Sequence, residues 1–426
     1  MKKLTSLTAA LLALLMILSG CSMIRVNEER DDQVVVATVN GTKLLKGDYK
    51  QMLTQYLSYM GVTLQNAAAN GVDLESVRTS LLDQMVQQEV ERQMAEKFGF
   101  TNLTEEQLAE VQEQFYSVID LAAASYLVDD EGNTIENPTD EQKEEARQKV
   151  IASYGLNEDE YMEELKRNKA ASLLYDELTA AASATAEQVS ERYNQMVESD
   201  KSTYQGNEAN YEQAINNGAV VLYVPAGLRY LKHVLIAFDD ETAQELNDLR
   251  AAESSAADPE AAKAETDAKR EEMAKAIEPL AQEVLEKIQS GDLSFEDAMR
   301  QYSGDSQDPD GEGYAVASSG SDYDTEFVTE AFKLRSVGDI SDLILTDFGY
   351  HIILYAGDVK AGPKTLQDSV KYGYDDDGNL KTVTVYEYVE SVIVDEQKDA
   401  MYDEALKLGV EQADVKTYPN RIKDVK

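Results

Sequence analysis

Side chains suited to covalent or metal chemistry are nearly absent from this chain. Its 426 residues include one cysteine, two histidines and no tryptophan. A single thiol, Cys21, excludes any intramolecular disulfide. Two histidines far apart in sequence, His233 and His351, exclude an H-E-x-x-H zinc helix, and neither a P-loop nor a G-x-S-x-G elbow occurs. Positive charge is scarce as well: 39 Lys and Arg stand against 81 Asp and Glu, for a net charge of −42. That balance excludes nucleic acid as a partner, because phosphate binding needs a basic footprint. Beyond residue 20 no apolar run is long enough to cross a bilayer. Two segments, SQDPDGEGYAVA and DDDGNL, look like calcium loops. The first sets Ser306, Asp308 and Asp310 ahead of Gly311 but has Ala317 where the ligating Glu belongs, and the second is out of register. Neither a metal nor a cofactor is expected.

What is present begins with an export signal. Lys2 and Lys3 form a positive start, Leu4 to Leu18 is almost uninterrupted in apolar and small residues, and Leu18-Ser19-Gly20-Cys21 closes it. This ending resembles the lipobox of bacterial lipoproteins, which implies that Cys21 is lipidated and becomes the first mature residue. Residues 22–33 are polar and read as a tether. Length predicts two or three packing units, and 43% hydrophobic residues suffice for their cores.

VVVATVNGTKLL reads as a strand with an Asn40-Gly41 turn, followed by a helix with Asp48 at its N-cap and Tyr49, Met52, Leu53, Tyr56, Leu57 and Met60 at helical spacing. Residues 75–98 carry Val77, Leu81, Leu82, Met85, Val86 and Val90 on one stripe ahead of Gly99. Thr104 with Gln107, Thr139 with Gln142, Asn157 with Glu160 and Thr185 with Gln188 mark four further helix starts. Residues 201–218 read as a loop or linker. RYLKHVLIAF is a strand whose alternation puts Leu231, His233 and Leu235 on one face. Residues 239–275 hold ten Ala, twelve acidic and five basic residues, a composition that favours solvated helix or disorder. Two helices near Pro279–Gln289 and after Ser294, a Gly/Asp/Ser-rich loop, a helix around Glu326–Leu334 and a strand in Gly349–Tyr355 complete a small α+β unit. TVTVYEYVESVIV is strand or mixed, and Gln397–Leu408 is a helix ended by Gly409.

KHVLI, GDLSFEDA, YSGD, EFVTEAFKL, VGDIS and TDFGYHII occur in that order between residues 232 and 353. They resemble the successive motifs of parvulin (PpiC-type) peptidyl-prolyl isomerase domains. The flanking segments resemble the rest of the PrsA/SurA-type foldases. The resemblance implies an α+β fold, with a parvulin domain (a small antiparallel-type sheet surrounded by helices) inserted in a mainly helical N- and C-terminal chaperone domain. The expected divisions are a signal at 1–20, a tether at 21–33, a helical domain at 34–226, the isomerase domain at 227–361 with its insertion 239–275, and a C-terminal segment 362–426 docking on the helical domain.

The resemblance also implies a site: His233, Asp305, Thr346 and His351 as the catalytic group, with Phe327, Tyr323 and Phe348 around the proline. Three positions depart from the family pattern. Its Gly-Gly-Asp-Leu-Gly loop appears as Gly311-Glu312-Gly313-Tyr314, Tyr323 stands in for a pocket methionine, and Phe348 sits where some members have a small hydroxyl residue. The chemistry needs no cofactor, because the barrier to isomerisation, about 18–20 kcal/mol, is lost amide resonance. The implied protein is a foldase lipid-anchored to the outer face of the bacterial cytoplasmic membrane. Its partners are unfolded or nascent secreted proteins with X-Pro bonds, and homodimerisation is left open. The rival reading is a holding chaperone with a degenerate isomerase domain.

Overall fold

A computed structural model of the chain describes residues 28–423 and 425, apart from 129–133, 136, 376 and 377. The export signal and Cys21 lie outside the described residues. The chain divides into two compact units, one holding the described residues up to Ser183 with those from Val394 onward, the other holding 184–393.

The first unit starts with α1 (Glu28–Asp32) and the hairpin β1 (Val35–Val39) and β2 (Thr42–Leu45). Asn40 and Gly41 both have positive φ, the geometry that a two-residue hairpin turn requires. The C-terminal strand Val415–Thr417 pairs antiparallel with the other edge of β1. Next come α2 (Lys46–Tyr59), α3 (Leu74–Phe98), α4 (Glu105–Ala123), α5 (Asp140–Tyr154) and α6 (Glu158–Thr179). Thr104 and Thr139 form complete capping boxes with Gln107 and Gln142, and Gly99 closes α3 in the left-handed conformation. Asp48 is not the cap of α2: that helix begins two residues earlier at Lys46, and Asp48 sits in its first turn. Tyr49, Leu53 and Leu57 enter a core with Val36, Leu82, Val86 and Val90, whereas Tyr56 and Met60 are exposed.

Gly409 does not end its helix, which runs from Val385 to Gln412. A Cβ on Gly409 would lie 2.8 Å from the Met94 sulfur and 2.9 Å from Val90 Cγ1. Close approach to α3, not helix termination, is therefore what this glycine provides.

The second unit opens with α7 (Ala186–Tyr204), capped by the Thr185–Gln188 box, and α8 (Glu208–Asn216). Residues 201–218 are thus largely helical, because Tyr211, Ala214 and Ile215 form an apolar stripe that the polar composition hides. Sequence reading divided the chain at 226/227. Packing divides it at 183/184, since Val189, Val197 and Leu222 share one cluster with Val370, Val385, Val389 and Ile393.

β3 (Tyr223–Val224) leads to β4 (Arg229–Ala237), then α9 (Asp240–Glu253) and α10 (Pro259–Ala274), which form the insertion. After them come α11 (Glu278–Ser290), α12 (Phe295–Tyr302), β5 (Tyr314–Val316), α13 (Thr325–Ala331), β6 (Ile344–Thr346) and β7 (Gly349–Asp358). Four strands make one antiparallel sheet in the order β5-β4-β7-β6. Val234, Ile236 and Ile352 on one face pack under α11 and α12. Leu231 and Ile353 on the other pack with Phe327, Val328 and Ala331 of α13. Each fully buried residue of this kind contributes about 1.5–3 kcal/mol through burial, so the sheet is held from both sides. Shorter strands β8 (Gly362–Pro363), β9 (Ser369–Tyr374) and β10 (Leu380–Thr384) complete the unit.

The insertion is ordered helix. Leu246 and Ala274 bury with Phe238 against Leu345 and Tyr350, so a thin apolar stripe anchors an otherwise acidic hairpin.

Candidate active site

β4 and β7 are paired so that Leu235 faces His351 and His233 faces Ile353. Opposed residues share a face, so the two histidines are diagonal neighbours on the α13 side of the sheet. Their rings stack with centroids 5.1 Å apart and an interplanar angle of 16°, and the two Nδ1 atoms are 2.9 Å apart. His233 Nε2 lies 2.5 Å from Asp305 Oδ2, and His351 Nε2 lies 2.8 Å from Thr346 Oγ1. The structure thus brings all four residues of the expected catalytic group into one chain of hydrogen bonds.

The protons in that chain follow from electrostatics. Hydrogen bonding to His233 holds the Asp305 carboxyl below its usual range, with Tyr314 and the Ser306 amide adding to it. Burial, then repulsion from His233, pushes His351 down to about 3, only partly offset by Asp305. His351 is therefore neutral and Asp305 ionised at neutral pH. An ionised Asp305 can only accept, so His233 donates to it from Nε2. One proton lies between the two facing Nδ1 atoms, and Thr346 Oγ1 completes the chain at His351 Nε2. Thr346 Oγ1 also accepts the Phe348 amide at 3.1 Å.

Asp305 sits on a loop stitched to β4. Gly304 donates to the Leu235 carbonyl at 2.8 Å, and Ser303 Oγ accepts the Leu235 amide at 3.2 Å. Gln307, which is buried, accepts the His233 amide and donates to the Leu231 carbonyl, both at 3.1 Å. A Cβ on Gly304 would meet Ala237 Cβ at 2.8 Å, so only glycine lets the loop lie this close.

Phe327 meets both histidines edge-on, at 5.4 and 5.3 Å between centroids. Tyr323 lies one tier out, 6.0 Å from Phe327 and 5.5 Å from Tyr314. Phe348 is not brought to this cluster. Its side chain is 62% exposed, because its amide bonds Thr346 and its carbonyl accepts the Phe238 amide, which turns the ring outward.

Sequence reasoning missed three contributors. Tyr314 donates to Asp305 Oδ2 at 3.0 Å and stands 5.9 Å from His233; burial, then Asp305, push its phenol up to about 12, so it stays a donor. Its sign in the sequence was its place after Gly311-Glu312-Gly313. Gln307 was visible only as the polar residue after YSGDS. Asp347, beside Thr346, accepts Arg250 at 2.7 and 2.8 Å and Arg270 at 3.0 Å, so the insertion braces the Thr346 turn. Burial works against its charge, but Arg250 and Arg270 outweigh it and hold Asp347 below the usual range. Among the described residues no three His, Cys, Asp or Glu side chains converge as a metal site.

Residues 233–356 match the PPIC-type PPIASE domain family, and residues 1–121 match the SurA-like N-terminal domain family. The foldase protein PrsA of Bacillus subtilis is 29% identical over 144 residues, which are 34% of this chain and 42% of that protein's length. The crystal structure of PrsA from Bacillus subtilis is 18% identical with a TM-score of 0.20, covering 92% of this chain and 98% of that one. A peptidylprolyl isomerase (PrsA) from Bacillus cereus is 15% identical with a TM-score of 0.18, covering 92% and 97%.

Proposed function

We propose, for a chain that carries a PpiC-type peptidyl-prolyl isomerase domain and a SurA-like N-terminal domain, that it catalyses cis–trans isomerisation of X-Pro bonds in unfolded exported proteins. The observation that carries this reading is the buried chain Asp305–His233–His351–Thr346 beneath the aromatic cluster of Tyr314, Tyr323 and Phe327.

Rotation about the prolyl bond moves no proton and breaks no covalent bond. A planar amide places negative charge on its oxygen, and a twisted amide places less. A site that withholds water from the carbonyl and sets a carboxylate near it therefore favours the twisted form over either planar one. Phe327 and Tyr323 take the pyrrolidine ring, Asp305 supplies the charge, and the two histidines with Thr346 hold that charge in place. Preorganisation matters because a floor that is already hydrogen-bonded does not reorganise during rotation.

The export signal and lipobox-like ending support a lipid anchor on Cys21 and action outside the cytoplasm, on the outer face of the bacterial cytoplasmic membrane. Among the described residues no helix is long and apolar enough to cross a membrane. Exposed Tyr56 and Tyr59 on α2, with Met60 just beyond its end, favour a holding role for the first unit beside catalysis.

The test is isomerisation of a prolyl tetrapeptide by the wild type, His233→Ala and Asp305→Ala. Measurable wild-type turnover that falls by about tenfold or more in both variants supports catalysis. Undetectable wild-type turnover with intact suppression of aggregation would leave only the holding role.

A further inference from the structure

A carboxylate from outside the matched isomerase domain reaches its pocket wall. Glu212, on α8, is 0% exposed and has no cationic partner among the described residues. Its oxygens accept the Ala317 amide at 2.6 Å, the Asp322 amide at 2.9 Å and the Ser321 hydroxyl at 2.7 and 2.9 Å. Burying a carboxyl group is costly unless hydrogen bonds satisfy its oxygens. Here one loop, 317–322, supplies all of them, so the loop's conformation and the burial of Glu212 depend on each other.

The loop leads directly into the site. Ser321 Oγ, while donating to Glu212, accepts the Tyr323 amide at 3.1 Å. Asp324 then caps α13 by accepting the amides of Glu326 at 2.9 Å and Phe327 at 3.3 Å. Tyr323 and Phe327 stack at 6.0 Å, and Phe327 touches both histidines. A continuous path of hydrogen bonds and ring contacts thus joins Glu212 to the proline pocket. α8 approaches closely elsewhere too: a Cβ on Gly320 would lie 3.2 Å from Ala209 Cβ.

We propose that Glu212 is a positioning residue that sets the affinity of the site for prolyl peptides by fixing Tyr323 and the start of α13. This inference rests on the isomerase reading above, and it places part of the pocket's definition on a helix that precedes residues 233–356. Glu212 does not touch the rotating amide. It governs how well the pocket holds its ring, not the hydrogen-bonded floor that favours the twisted form.

The experiment uses the full chain as wild type, Glu212→Gln, Glu212→Ala, Ser321→Ala and the Glu212→Ala/Ser321→Ala double variant. Affinity for a prolyl tetrapeptide is read from the Hε1 signals of the two histidines, which are the chain's only imidazoles. KM, kcat, amide hydrogen exchange at 317–323 and urea unfolding are measured alongside. Loss of a partner that leaves buried donors unpaired predicts that Glu212→Ala weakens affinity and raises KM by about tenfold, with kcat within about twofold. Exchange at 317–323 accelerates, Glu212→Gln recovers part of the affinity, and the double variant is no worse than Glu212→Ala, because both act through one relay. Unchanged affinity in Glu212→Ala, a fall in kcat at constant KM, or a loss that only tracks the unfolded fraction would overturn the proposal. A wild type that binds the peptide without turnover would refute the isomerase reading, while the affinity series would still decide the role of Glu212.

Discussion

Acidification should destabilise the second unit through one residue, His351. The folded state holds this imidazole neutral, with its pKa pushed down from 6.5 to about 3 by burial and by His233. Once unfolded, the same ring takes a proton below 6.5, so the unfolded state binds more protons as pH falls. The stabilisation is therefore fully present above 6.5 and is lost progressively toward about 3. Between about pH 7 and about pH 5 the linkage amounts to about 2 kcal/mol. Asp305, whose pKa is lowered by its bond to His233, loses stabilisation in the same direction, but only as pH falls through the carboxylate range. A window ending near pH 5 thus isolates the histidine. The assay is urea unfolding of wild type and His351→Gln at both pH values, with NMR titration of the two imidazoles. The wild type should lose about 2 kcal/mol more than the variant across this window. Equal losses, or a His351 signal that titrates near pH 6, would refute the assignment of a neutral buried ring.

Three substitutions probe the rest of the site. Thr346→Val, at a fully buried position, deprives His351 Nε2 and the Phe348 amide of their partner and should cost about 1–3 kcal/mol in urea unfolding while lowering turnover. Gly304→Ala drives a methyl into Ala237 and should destabilise by about 1–3 kcal/mol, with a shift in the His233 imidazole signals as Asp305 moves. Arg250→Met removes the two-pronged contact to Asp347; we expect about 1–3 kcal/mol of destabilisation and faster amide exchange at Phe348, and unchanged exchange there would show that the insertion does not brace the turn.

Much of the architecture could be read from local pattern. Capping boxes at Thr104, Thr139 and Thr185 mark real helix starts, because a side chain and an amide three residues apart satisfy each other without help from elsewhere. Alternation along β4 put His233 on the face of Leu231 for the same local reason. Patterns shorter or more polar than these misled. α8 looked like linker because three apolar residues among Asn, Gln and Gly give little signal. Gly409 looked like a helix stop because nothing near it in sequence reveals Val90 and Met94 against its backbone. Phe348 looked like a pocket residue because its position in the motif was legible and the direction of its ring was not.

By itself, then, the sequence determined the chemistry that is open to this protein. Two histidines and one cysteine left little room for covalent or metal chemistry, and the ordered motifs around both histidines resembled those of a prolyl isomerase domain. Tertiary structure decided how those histidines are used. Strand register made them diagonal neighbours, burial made His351 neutral, and a loop held close by Gly304 set Asp305 against His233. It also recruited Tyr314, Asp347 with its two arginines, and Glu212, to none of which the sequence had assigned a role in the site. The physical reason is that a hydrogen bond or an ion pair depends on distance in space, and the residues that meet here lie as far apart in sequence as His233 and His351.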